Sequence, residues 1–102
     1  MKKVLIVLGL VSMAISGSAM ADLALAKKSG CMACHSVDKK IVGPSWKDVA
    51  AKYKGDPDAK AKLINKIKKG GKGVWGPAPM PPYSPRVSDA NIEKLVDFIM
   101  TL

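Results

Sequence analysis

Apolar positions in this chain follow two patterns. Val4 to Ile15 is a nearly unbroken run, preceded by Met1-Lys2-Lys3 and followed by Ser16-Gly17-Ser18-Ala19-Met20-Ala21. A positive start, a short apolar stretch and a small-x-small ending predict a secretory leader over residues 1–21, cut after Ala21. The competing reading is a membrane anchor, but the run falls short of the ~20 residues that cross a bilayer. Residues 22–102 then form one domain, exported to the periplasm and without a membrane span once processed. In that domain the apolar residues recur at helical spacing. Leu23 to about Lys28 predicts a short helix. Ser45 as N-cap with Asp48 three residues on starts a second, whose Trp46, Val49, Ala50 and Tyr53 share one face. Asp56 as N-cap and Pro57 at the first helical position predict a third, with Leu63, Ile64 and Ile67 inward and Gly70-Gly71 as its stop. Ser88 and Asp89 open a fourth, with Ile92, Leu95, Val96 and Ile99 on its apolar stripe. No segment alternates with period two for long enough to predict a strand.

The joints between these helices matter as much. Lys39 to Pro44 is one connection, and Gly70 to Val87 is an 18-residue stretch with five prolines. A connection that long in a small domain is either disordered or functional. Val74, Trp75, Met80 and Tyr83 favour the second, because a solvated linker would not carry them, and proline stiffens a chain that must hold a side chain in place.

Composition sharpens the picture. The chain has 102 residues, and beyond Ala21 only 35 are apolar, nine of them alanine. A core so thin calls for a staple: disulfides, a metal or a cofactor. With one histidine and two cysteines, neither a bis-histidine centre nor a four-thiolate site can be built within one chain. Beyond Ala21, fifteen basic residues face eight acidic ones, a net charge of +7. The basic residues form no Arg-rich or aromatic-interleaved stripe, so nucleic acid is not the expected partner. Such a field instead steers encounter with a partner that presents an acidic surface.

The staple is written in Cys31-Met32-Ala33-Cys34-His35. Two cysteines three apart with histidine next is the attachment pattern of c-type haem. The two thiols reach the two vinyl groups, and the short turn brings the imidazole beneath the iron. A thiol oxidoreductase would share the Cys-x-x-Cys spacing, but no βαβ pattern surrounds it. Zinc would need a fourth ligand and usually more thiols. One covalently bound haem c, with His35 as its proximal ligand, is therefore expected. The sixth ligand follows by elimination. There is no second histidine, Met32 lies inside the attachment loop, and Met100 sits near the end of the last helix. Met80, flanked by prolines in a loop, remains; lysine ligation or an open position is the alternative. Two strong axial ligands leave no vacant site for catalysis, which points to an electron carrier rather than an enzyme, expected as a monomer.

Cys31 to His35, the step Val42-Gly43-Pro44 and the run Gly73-Val74-Trp75-Gly76-Pro77-x-Pro79-Met80-Pro81-Pro82 with Val87-Ser88-Asp89 resemble the short bacterial class I cytochromes c, of the c-551/c-552 type. The resemblance covers essentially all of residues 22–102. It implies an all-α fold of about four short helices wrapped around one covalently bound haem, with the first and last helices crossing. It also implies a shuttle between a respiratory donor complex and a terminal reductase, oxidase or peroxidase. By the same resemblance, Pro44 offers its carbonyl to His35 Nδ1–H, and Trp75 gives its indole N–H to a haem propionate, with plain core packing as the other role for that indole. Lys66 matches a basic position near a propionate, where a merely solvated lysine is the alternative. Tyr83 stands where relatives often carry an Asn bonded to the methionine sulfur, so a hydroxyl replaces the amide or the sulfur goes without a donor.

Overall fold

Ala, Leu and Lys dominate Ser18 to Ser29, with no glycine or proline to interrupt them, and a helix results. The computed structural model describes residues 15–102, with side chains from residue 19 onward. In it α1 spans Ile15–Lys28, so the helix starts earlier than the expected Leu23. The Met1-Lys2-Lys3 start and nearly all of the apolar run from Val4 lie outside the described residues. Ala26 is fully buried where α1 packs on the last helix, and its small side chain permits a close approach there.

The Ser45 hydroxyl accepts from Asp48 N–H at 3.1 Å and starts α2, Trp46–Tyr53. Trp46, Val49 and Ala50 are buried and Tyr53 half-buried, the face read from the spacing. Helix α3, Ala59–Lys69, begins later than expected. Asp56 does not cap it: its carboxylate accepts from Asp58 N–H at 2.8 Å, and its carbonyl accepts from Ala59 N–H. Asp56-Pro57-Asp58 is thus spent as a turn, and Asp58 takes the N-cap position. Leu63 and Ile67 are buried, and Gly70 at φ 70° ends the helix.

Gly70 to Val87 is not wholly irregular. β1, Gly71–Gly73, pairs antiparallel with β2, Gly76–Met80, in the register Gly71 to Met80 and Gly73 to Gly76, with an irregularity between. The expectation of no strand fails here for a physical reason. Glycine and proline carry no apolar alternation, yet Pro77 and Pro79 fall on alternate residues, a spacing that an edge strand tolerates. Beyond β2 the chain is pinned to the end of α3: Tyr83 N–H donates to the Ile67 carbonyl at 3.0 Å and Ser84 N–H to that of Lys68 at 3.3 Å. Helix carbonyls left without intrahelical partners are thereby used to hold the loop.

Ser88 caps α4, Asp89–Ile99, accepting from Asn91 N–H at 3.2 Å. This helix is the hub of the fold and packs against α1, α2 and α3. Ile92, Leu95 and Val96 are its most deeply buried side chains, and Phe98, which the periodicity did not place inward, is buried as well. Four helices and a small hairpin thus surround a cavity that the helices do not fill by themselves.

Candidate functional site

Gly30, at φ 85°, turns the chain out of α1 into a 3₁₀ turn at Cys31–Ala33. Cys34 N–H and His35 N–H both donate to the Cys31 carbonyl, at 3.2 and 3.0 Å. This one turn brings two thiols and an imidazole to the wall of the same cavity. Both thiols are free; Cys31 is buried and Cys34 half-buried. Burial pushes the Cys31 thiol above its ordinary pKa, with its own backbone and the Arg86 charge pulling the other way.

His35 is held from three sides. Its Nδ1 donates to the Pro44 carbonyl at 2.8 Å, which leaves Nε2 with a free lone pair. Gly43 lies flat on the ring: a Cβ there would come within 2.6 Å of Cε1 and 3.0 Å of both nitrogens. Gly43 N–H also donates to the Cys34 carbonyl at 2.8 Å. Trp46 stands at 5.9 Å from the imidazole, centroid to centroid, and meets Phe98 edge-on at 6.1 Å. A chain of aromatic contacts thus links His35 to α4.

The hairpin and the loop after it supply another part of the wall. Met80 ends β2 and is half-buried against the core. Gly70 packs on the Met80 carbonyl so closely that a Cβ at 70 would fall on that oxygen, and its φ of 70° suits glycine in any case. Trp75 is 41% exposed, with Lys52 Nζ 5.4 Å above its ring. Cys31, Cys34, His35, Pro44, Trp75 and Met80 all line one cavity, together with Lys66 and Tyr83.

That cavity encloses ≈ 1130 Å³ of empty space, counting the part open to solvent. Leu63, Ile67, Leu95 and Ile99 give it an apolar floor. Its sulfur and imidazole groups are two unpaired thiols, one thioether and one histidine ring. Among the described residues no three His, Cys, Asp or Glu side chains gather as a bare metal ion would require. A large flat apolar group carrying its own metal, with thiol-reactive edges, suits such a lining.

Gly43 and Trp46 are the contributors that the sequence pattern did not assign to the site. Gly43 stood only as the middle of a recognisable tripeptide, and Trp46 only as one inward position of a helix. Of the lining residues, Val42 and Val74 are about half exposed, as is Ile41 next to Val42. Lys52, Lys66 and Lys72 sit at this rim, and the ion pairs among the described residues involve other lysines: Lys47, Lys60, Lys62 and Lys68.

The family model for cytochrome c matches residues 23–102. The chain is 53% identical over 91 residues to cytochrome c-551 of Allochromatium vinosum, covering 89% of this chain and 96% of that protein. It is 47% identical over 102 residues to cytochrome c-552 of Hydrogenobacter thermophilus, covering 100% and 99%. Among solved structures, wild-type Nitrosomonas europaea cytochrome c552 superposes with a TM-score of 0.74 at 54% identity, over 78% of this chain and 98% of that one.

Proposed function

The chain belongs to the cytochrome c family, among the short class I members, and from that premise we propose that it is a periplasmic one-electron carrier with a His35/Met80-ligated iron. Family membership carries haem binding and electron transport with it. The finer reading rests on one observation: Cys31, Cys34, His35 and Met80 line the same apolar cavity.

In this reading Cys31 and Cys34 are the covalent tethers of a single haem c. His35 offers Nε2, and the Pro44 carbonyl fixes the tautomer that makes Nε2 the ligating atom. Met80 offers its thioether sulfur, a soft ligand that raises the reduction potential relative to a second nitrogen. When bound, the haem supplies an iron that gains or loses one electron. The protein's part is to hold both ligands in both oxidation states and to keep water away. Gly43, Trp46 and the Nδ1 bond restrict the imidazole, and Gly70 with the Met80–Gly71 pairing restricts the loop on the Met80 side. Trp75, which lines the cavity beside Lys52, would give its indole N–H to a propionate, and Lys66 lines the same cavity. With His35 and Met80 both serving as ligands, the protein would be a carrier and not an enzyme.

Residues 1–21 act as the export leader, and processing after Ala21 leaves Asp22 at the start of the helical segment. An acidic residue there favours the helix dipole. No helix of the described residues is long and apolar enough to cross a membrane. The purified protein should titrate as a single one-electron couple and, when reduced, refuse carbon monoxide. Prompt carbon monoxide binding by the untreated reduced protein would replace the carrier with a gas sensor whose Met80 leaves readily.

Partners are redox proteins with acidic docking surfaces, a respiratory donor complex on one side and a terminal reductase, oxidase or peroxidase on the other, met by a monomer. The rim supports this: exposed Val42 and Val74 lie among Lys52, Lys66 and Lys72. Association with an acidic partner should slow by roughly 10-fold or more as ionic strength rises from low to physiological, because exposed charges steer encounter and salt screens them. Stopped-flow rates that ignore salt would assign docking to the apolar patch instead.

A further inference from the structure

Tyr83 and Arg86 form a unit that the carrier reading does not use. Tyr83 is 7% exposed and lines the cavity beside Cys31. The Arg86 guanidinium lies over the Tyr83 ring, 4.8 Å from its centroid. The backbone fixes this stack: Tyr83 N–H is tied to Ile67, and Val87 N–H donates to the Tyr83 carbonyl at 2.8 Å, closing one turn that carries Arg86 back over the ring. Guanidinium on an aromatic face is a favourable contact. The ion pairs among the described residues are made by lysines, so no carboxylate there cancels the Arg86 charge. Because Tyr83 lines the cavity, the stacked guanidinium is held within one ring of its wall.

Resting on the haem reading above, we propose that Arg86, held by its stack on Tyr83, is an electrostatic tuning residue that raises the reduction potential of the bound haem. The step is the transfer of one electron, with no bond made or broken. Gaining that electron lowers the positive charge at the iron, and a fixed cation nearby favours the less positive state. Tyr83, which lines the cavity, keeps the guanidinium on its ring rather than free to swing away. The charge is exposed, so salt should weaken its effect.

The test is potentiometry of the holoprotein as wild type, Arg86→Gln and Arg86→Lys, at low and high ionic strength, with the far-red band recorded as a control on Met80. Arg86→Gln should lower the midpoint, Arg86→Lys should retain most of the wild-type value, and the gap should narrow at high salt, all with the far-red band unchanged. Equal midpoints for wild type and Arg86→Gln at low salt would overturn the proposal. So would Arg86→Lys falling as far as Arg86→Gln, since packing rather than charge would then be at work. A colourless wild-type protein would overturn the haem reading and this inference together, whereas a coloured one with identical midpoints overturns the inference alone.

Discussion

Replacing Met80 with alanine should give a folded, haem-bearing protein that has lost its far-red sulfur-to-iron absorption, binds carbon monoxide when reduced, and titrates at a lower potential. Folding should survive because Met80 holds its place mainly through its backbone: the pairing with Gly71 and the contact of its carbonyl with Gly70 need no side chain. The ligand, by contrast, disappears. Losing a soft thioether should lower the midpoint by on the order of 0.2 V, a fraction of the roughly 0.8 V span that axial ligands command. An unchanged oxidised spectrum with continued refusal of carbon monoxide would remove Met80 from the iron and leave a lysine as the candidate.

Trp46→Ala should have the largest effect on stability. Trp46 is 3% exposed and touches both the His35 imidazole and the Phe98 ring, so its removal opens a void between the attachment loop and α4. Large aromatic truncations in cores cost about 3–5 kcal/mol, against a typical stability of about 5–15 kcal/mol for a domain. At roughly 4–8 °C per kcal/mol for a domain this small, the thermal midpoint of the holoprotein should fall by on the order of 20 °C. Denaturant unfolding followed at the haem band measures it. A loss below about 1 kcal/mol would mean that the bound haem, not this indole, supports the His35 side of the cavity.

These effects were unevenly legible in the chain. The starts of α2 and α4 could be read because Ser45 and Ser88 cap them with their own hydroxyls, a local interaction spelled out within four residues. The start of α3 could not, because Asp56 and Asp58 offer the same chemistry and only the folded chain assigns the carboxylate of Asp56 to a turn. The hairpin escaped because Gly-Lys-Gly and Gly-Pro-Ala-Pro-Met have no periodicity to read, and the cross-strand pairing alone defines them. The candidate site shows the same division. Cys31, Cys34 and His35 are adjacent and announce themselves, and Met80 is marked by its prolines. The closeness of Gly43 to the imidazole and the stack of Arg86 on Tyr83 depend on where the backbone comes to lie. Neither contact has a sequence signal of its own.

The most direct test is the visible and far-red spectrum of the purified, exported protein in both oxidation states. Sharp absorption bands on reduction, and a weak far-red sulfur-to-iron band at neutral pH on oxidation, are the predicted result. A colourless, fully folded protein with two titratable thiols at Cys31 and Cys34 would contradict the account and leave a thiol oxidoreductase in its place.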